Sequence, residues 1–378
     1  MEFLAGVWNY VVVFLLILTV VVFVHEAGHF AVARWNGVKV DVFSIGFGPE
    51  VWGYTAKSGT RWRLSLLPLG GYVKMFGDAD ASSVTGEDRP MTEAEKAVSF
   101  RHKRVGQRAA IVFAGPAANF VFAILGLAAM FMVLGQQVTE PVIGQIHAGM
   151  AAEQSGLKVG DRVVAINGTA VDRFQDIQRV VRLEIERPLT LTVDRNGQSL
   201  DIVATPRIVE RKGMFGDMEK VPVLGISADP SSTRIVKHGP LGALGQALKE
   251  TETMVTSTFV GIGQMINGTR DSDELGGPIR IAKGAGEAAQ IGVASVVFYT
   301  ILLSLNLGLI NLFPIPVLDG GHLLFYGFEA ILGRPLGEKA QEYGFRIGLF
   351  LVLALMVFAT RNDIVSLPVW DMMKRMLS

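Results

Sequence analysis

Val21-Val22-Phe23-Val24-His25-Glu26-Ala27-Gly28-His29-Phe30-Ala31-Val32-Ala33 places three ionisable side chains inside an apolar run that begins near Val11. Such groups are costly at membrane depth and mark function by default. Their spacing indicates which function. Residues four apart share one face of a helix, so His25 and His29 can grip a single metal ion. Glu26 lies about 100° round the helix from His25, within reach of a water on that metal. This is the pattern of a hydrolytic zinc site with its own general base. The plain alternative is two surface histidines and a salt-bridging glutamate. The apolar surroundings weigh against it, because an unpaired histidine or glutamate there is destabilising. A zinc site also needs a third protein ligand.

Composition agrees with a membrane setting. Half of the 378 residues are hydrophobic and 19% are charged, below the roughly 25% of soluble domains. Mean hydropathy is +0.38. Four segments have about the 20 residues a span requires: about Val7 to Arg34, Ala109 to Leu134, Val293 to Phe313 and Gly344 to Thr360. Met1-Glu2-Phe3 lacks a basic leader, so the first run is expected to be a retained helix. Leu241 to Ile266 mixes apolar with polar residues and is expected to be amphipathic and interfacial. Net charge is zero, which points to no nucleic-acid partner. With no cysteines, a zinc site must use His and Asp or Glu.

Basic residues set the expected orientation. Arg34, Lys39, Lys57, Arg61, Arg63 and Lys74 lie between the first two spans, and Arg101-His102-Lys103-Arg104 with Arg108 abut the second. The positive-inside rule puts this loop in the cytoplasm and both termini outside. Within it, Trp62 to Leu66 alternates, and Gly70-Gly71-Tyr72 opens an apolar strand, so a β-hairpin near the membrane face is expected. Ala79 to Glu95 is polar and acidic, a mobile loop by composition. Outside, Ser155-Gly156-Leu157-Lys158-Val159-Gly160-Asp161-Arg162-Val163-Val164-Ala165-Ile166-Asn167-Gly168 combines a tight turn, a buried strand and an Asn-Gly turn. Leu189 to Val193 and Leu200 to Ala204 read as a second hairpin. The long run resembles bacterial PDZ domains, which bind peptides by adding a strand to a sheet edge. Val223-Leu224-Gly225-Ile226 fits the place of the carboxylate-binding strand. A small β-rich spacer without a ligand is the alternative.

The third span ends in Asn311-Leu312-Phe313-Pro314-Ile315-Pro316-Val317-Leu318-Asp319-Gly320-Gly321-His322. Irregular backbone at that depth is tolerated where protein buries it or where it lines a cavity. Asp319 can complete a His, His, Asp site and leave a fourth position for water. A helix-ending turn with a solvated Asp is the other reading. The first and third spans both run from outside to inside, so all three candidate ligands reach the cytoplasmic half.

Four motifs in order, H-E-A-G-H at 25–29, F-A-G-P-A-A-N at 113–119, G-G-P-I-R-I-A-K-G-A-G at 276–286 and N-L-F-P-I-P-V-L-D-G-G-H at 311–322, are spread across nearly the whole chain. They resemble the site-2 proteases, the intramembrane zinc metalloproteases, and most of all their bacterial regulator-of-sigma-E protease branch. The resemblance implies one Zn²⁺ on His25, His29 and Asp319, with Glu26 as catalytic glutamate. It implies substrate contacts at Asn311 and at Gly70, Gly71 and Tyr72, and peptide C-termini at Leu224, Gly225 and Ile226. It implies a multi-pass protein of the bacterial inner membrane, with both termini and a single PDZ domain in the periplasm and the active site toward the cytoplasm. Its substrates would be single-pass membrane proteins already trimmed on the periplasmic side, such as anti-sigma factors, or remnant signal peptides. The better-known members carry two PDZ domains, and this chain has room for one.

The expected architecture is a polytopic α-helical membrane protein of about four spans with a membrane-associated cytoplasmic β-hairpin and one inserted α+β PDZ domain. The expected segments are the first span (1–36), cytoplasmic loop (37–107), second span (108–135), PDZ domain (136–230), amphipathic segment (231–290), third span (291–322), and fourth span with tail (323–378). A non-catalytic PDZ scaffold or sensor is the alternative function, and a zinc transporter a third. A transporter needs further His, Asp or Glu within the spans, and His102, His147 and His238 all lie outside them.

Overall fold

The computed structural model describes residues 2–78, 91–212 and 218–365. Packing divides the chain into two compact units, one reaching from the start to Gly126 and resuming at Gly276, the other Leu127–Leu275.

The first unit opens with helix α1 (Glu2–Trp35), followed by β1 (Val40–Thr55) and β2 (Arg61–Met75), a short α2 (Glu93–Val98) and α3 (Val105–Val133), whose end from Leu127 on is counted with the second unit. Val42–Ile45 pairs with Arg61–Leu64 on one flank, running the same way, and with Lys74–Gly71 on the other, running in reverse. Thr55 to Glu50 pairs with Arg61 to Ser65. The two strands therefore fold back into a four-rung sheet, in place of the single hairpin expected. Its bend in β1 sits at Gly46 (φ 88°) and Gly48 (φ 86°), where a Cβ would be strained. These glycines also hide the period-two signal from the sequence. The sheet leaves Trp52, Leu66 and Leu67 exposed. The mobile loop expected over 79–95 is only partly testable, since 79–90 lie outside the described residues. Its end is ordered as α2, whose Thr92 and Glu95 form a reciprocal capping box.

The second unit continues with β3 (Gln136–Thr139), β4 (Ile143–Ile146), α4 (Ala151–Ser155), β5 (Arg162–Ile166), β6 (Thr169–Ala170), α5 (Phe174–Leu183), β7 (Leu189–Arg195) and β8 (Gln198–Ala204). Then come β9 (Arg207–Lys212), β10 (Met218–Val223), β11 (Ile226–Ala228), β12 (Thr233–Val236) and α6 (Pro240–Ile266). An antiparallel sheet β6-β5-β7-β8 and the small pairs β11-β4, β10-β9 and β12-β3 surround a core of Ile143, Val163, Ile166, Phe174, Ile177, Leu189 and Leu191. The Asn167-Gly168 turn has both residues at positive φ, the two-residue hairpin geometry its sequence announces. Asp161, 1% exposed, takes two 2.7 Å bonds from Arg195 and one of 2.8 Å from the Lys158 amide. Burial alone would raise its carboxyl; the guanidinium and the amide outweigh burial and hold it below the ordinary carboxylate range.

Helix α6 is amphipathic as expected, but its Ala243, Ala247 and Thr251 stripe is buried. Arg173 of the α5 N-cap reaches Glu250 at 3.4 Å, and Arg179 reaches Thr253 at 3.2 Å.

The chain returns to the first unit as α7 (Pro278–Ile291), α8 (Val293–Asn311), α9 (Asp319–Leu332) and α10 (Glu338–Val365). The stretch 231–290, read from sequence as one interfacial segment, is thus shared between units: β12 and α6 belong to one, α7 to the other. Small buried residues, Gly284, Ala285, Gly286 and Ala288, let α7 pack inside its unit. Buried Asp363 of α10 accepts from the amides of Gly277, Ile279 and Arg280 at 2.8, 3.0 and 3.0 Å and caps α7. Helix α9 was not expected; it takes the end of what read as the third-span segment and the stretch leading to the fourth span. The last span is also longer than its apolar centre suggested. Among the described residues, four helices are long and apolar enough to cross a membrane: Tyr10–Trp35, Val105–Val133, Val293–Asn311 and Glu338–Val365.

Candidate metal centre

Helix α1 supplies His25, Glu26 and His29, and both histidines are 8% exposed. Their rings meet edge to face, with Nε2 atoms 3.2 Å apart. Asp319, the first residue of α9, brings Oδ2 to 3.1 Å from His25 Nε2 and 3.5 Å from His29 Nε2. The solvated-turn reading of Asp319 is therefore wrong: its side chain is 18% exposed and faces two imidazoles.

The broken stretch before α9 makes this approach possible. Val317 adopts φ 111°, a region that strains a β-branched residue. The start of α9 lies so close to this stretch that a Cβ at Gly320 would sit 2.5 Å from the Leu312 carbonyl carbon. At Gly321 it would sit 2.5 Å from Ile315 O. Asp-Gly-Gly is thus a carboxylate followed by two positions with no room for side chains.

The donors fit zinc. Ligands at zinc's usual bond lengths of about 2.0–2.2 Å in a tetrahedron are about 3.3 Å apart. The three observed separations are 3.1, 3.2 and 3.5 Å. Asp319 Oδ2 is buried and close to two ring nitrogens, yet makes no hydrogen bond of acceptable geometry. Three lone-pair atoms thus converge on one point, which a cation would resolve. The far ring nitrogen of His29 is committed: Nδ1–H donates to Ile111 O at 2.9 Å, which leaves Nε2 free as a ligand.

Glu26 lines the same cavity, of about 450 Å³, together with Gly70, Gly71, Tyr72, Asn311 and His322. The structure therefore brings together the candidate ligands, the candidate base and four of the seven candidate substrate residues. Gly71 presses on Glu26, and a Cβ there would sit 3.3 Å from Glu26 Cγ. Tyr72 stacks on Phe47. His322 packs against Phe345 and Tyr326.

The remaining three, Leu224, Gly225 and Ile226, line a separate cavity of about 470 Å³ in the second unit, with Phe174 and Val181 of α5. Leu224 itself is 2% exposed, and its carbonyl accepts from Ala152. β11 pairs with β4 on one edge only among the described strands.

Sequence reasoning missed the wall behind the histidines. A Cβ on Gly115 of α3 would fall 2.5 Å from His29 Cε1, and one on Gly28 2.7 Å from Ala118 Cβ. The two helices touch through these glycines. Pro116, inside α3, cannot donate to the Val112 carbonyl. The signal was F-A-G-P-A-A-N, seen only as a motif.

The model of Peptidase family M50 matches residues 13–355. A protein of Agrobacterium fabrum, provisionally named a zinc metalloprotease, is 45% identical over 369 residues, 97% of each chain. The metalloprotease MmpA of Caulobacter vibrioides is 38% identical over 93% of this chain and 94% of its own. Among solved structures, a PDZ domain from Listeria monocytogenes is 14% identical over 24% of this chain and 87% of its own, with a TM-score of 0.20, too low to speak to fold.

Proposed function

Because the chain belongs to peptidase family M50, we propose that it cuts peptide bonds inside the membrane segments of single-pass proteins, with one zinc ion held by His25, His29 and Asp319 and with Glu26 as general base. That it is a zinc metalloprotease and a polytopic membrane protein follows from the family, its named relatives and its four apolar helices. The observation that carries the finer reading is the triangle of buried donor atoms at 3.1–3.5 Å, two of them on a helix of membrane-spanning length and the third at the start of the short α9.

Zinc, when bound, supplies Lewis-acid chemistry, acidifying a water and polarising a peptide carbonyl. The chain does the rest. Glu26, one residue on from His25 and open to the cavity, takes the proton of the attacking water and passes it to the leaving amine. A helical peptide bond is shielded by its own hydrogen bonds, so the substrate must unwind locally. The rung Gly71–Met75 has a partner strand on one side and lines the cavity that holds Glu26. An unwound segment can add to its open edge, where main-chain bonds replace those of the lost helix. Asn311 lines the same space and can bond the substrate backbone.

The basic residues before α3 support a cytoplasmic β-sheet and an active site on that side of a bacterial inner membrane, with both termini and the second unit in the periplasm. We read 136–230 as a single PDZ domain, as in a one-PDZ relative of the regulator-of-sigma-E branch. Its open β11 edge beside α5 can receive a peptide C-terminus. The substrates are then single-pass proteins already trimmed on the periplasmic side, of the anti-sigma-factor kind.

The test co-expresses a pre-trimmed single-pass substrate with the protein and with Glu26→Gln. A shortened cytoplasmic fragment should form with the native protein only. Equal cleavage by Glu26→Gln would remove Glu26 from the mechanism.

A further inference from the structure

We infer that Asn119 is a positioning residue of the metal centre, the hydrogen-bond acceptor that fixes His25 in its metal-binding tautomer. The inference rests on the zinc reading of His25, His29 and Asp319. Asn119 lies on α3 and is fully buried, 0% exposed. Its Nδ2 lies 3.2 Å from His25 Nδ1, while its Oδ1 is buried with no hydrogen-bond partner.

The chemistry of the imidazole resolves that mismatch. A neutral histidine that gives its Nε2 lone pair to a metal carries its proton on Nδ1. That N–H needs an acceptor. His29 finds one in Ile111 O. His25 has Asn119 as its Nδ1 partner, and an amide nitrogen offers no lone pair to it. A half-turn of the Asn119 amide exchanges its two atoms. Oδ1 then accepts from His25 Nδ1–H, and the orphaned oxygen and the proton satisfy each other. The side chain is well placed to hold that orientation. The Asn119 carbonyl accepts from Ser304 Oγ of α8 at 3.2 Å, which ties its backbone to the neighbouring helix. One helix, α3, thereby sets the tautomer of both histidines, through a backbone carbonyl at 111 and an amide at 119.

The inference distinguishes an acceptor from mere filling. Asp in place of Asn offers an acceptor of the same shape. Ala and Leu offer none, one leaving space and the other keeping volume. The full-length chain is purified in detergent, and the zinc dissociation constant is measured by chelator competition. The cobalt-loaded spectrum and the unfolding of the metal-free chain are recorded alongside. Asn119→Asp should hold zinc within a few-fold of the native chain. Asn119→Ala and Asn119→Leu should each bind about 10- to 100-fold more weakly, with a changed cobalt spectrum. Native affinity in Asn119→Ala would overturn the assignment, as would an Asn119→Asp loss equal to that of Asn119→Ala. If Asn119→Leu does not fold, the Ala and Asp pair decides alone. His25→Ala in the same assay separates the two readings. Zinc held by His25→Ala as by the native chain would bring down the proposed centre and this inference with it. Zinc lost there but kept in Asn119→Ala would bring down only the role of Asn119.

Discussion

Gly115→Ala tests whether the contact between α1 and α3 shapes the metal centre. The new methyl would lie 2.5 Å from His29 Cε1 and 2.8 Å from Cδ2. Ordinary contact between such atoms is about 3.5 Å, so the overlap is about 1 Å. The helices cannot easily part, because α1 meets α3 at Gly28 with the same tightness. The ring of His29 must swing, and the metal-free chain can let it. In the metal-bound chain the ring has to return, at about 1–3 kcal/mol for overpacking. The bond to Ile111 O, 2.9 Å long, is lost or bent, adding about 1 kcal/mol. The sum, about 2–4 kcal/mol, falls on metal binding more than on folding. At about 1.4 kcal/mol per tenfold, zinc affinity should drop about 30- to 700-fold. The assay is chelator competition on the detergent-purified chain, with proteolysis measured at saturating zinc. Gly106→Ala, in the first turn of the same helix with nothing within 4 Å of its added Cβ, is the control and should bind zinc normally. Native zinc affinity in Gly115→Ala would refute the claim that this glycine makes room for the ligand.

Three further outcomes follow from the same geometry. Dialysis against a strong chelator should abolish cleavage and leave the helical content in place, and added zinc should restore activity; cleavage that survives metal removal would contradict a metal-dependent reaction. Asp161→Asn should loosen the second unit by about 1–3 kcal/mol, because Arg195 loses its charged partner. Since the folded carboxyl titrates below its unfolded value of about 3.9, the stability it contributes is present above that pH and lost as pH falls through the lower folded value; hydrogen exchange over 156–204 should therefore show native and Asp161→Asn chains converging in acid, and a gap that widened instead would reverse the sign. Asp363→Ala should leave three amides at the start of α7 without their acceptor and raise exchange at Gly277, Ile279 and Arg280 while zinc affinity holds; unchanged exchange there would deny the cap.

What could be read from sequence, and what could not, divides along a physical line. His25, Glu26 and His29 were legible because their relation is local: one helix, one face, a spacing of four. Asp319 was legible by a longer route, since a carboxylate after a doubly broken span reaches the same depth as the histidines. Helix α9 behind it was not, because Leu323 to Leu332 is too short to read as a span and shows no polar face that would mark a helix on a soluble domain. The four-rung sheet was missed because glycines at 46 and 48 break the alternation of β1 just where the strand turns back on itself.

The back of the site was illegible for a deeper reason. Gly28, Gly115 and Ile111 act through what they lack or through their main chain: two absent side chains and a carbonyl. Patterns of polarity do not register such features. Their meaning appears only once two helices are brought together at one crossing point. Asn119 shows the same logic from the polar side. An asparagine in an apolar helix signals a buried partner, but not which one, since His25 is 94 residues away in sequence. The candidate ligands and base are thus written as chemistry, whereas the closeness with which they are held is written as the absence of atoms where two helices meet.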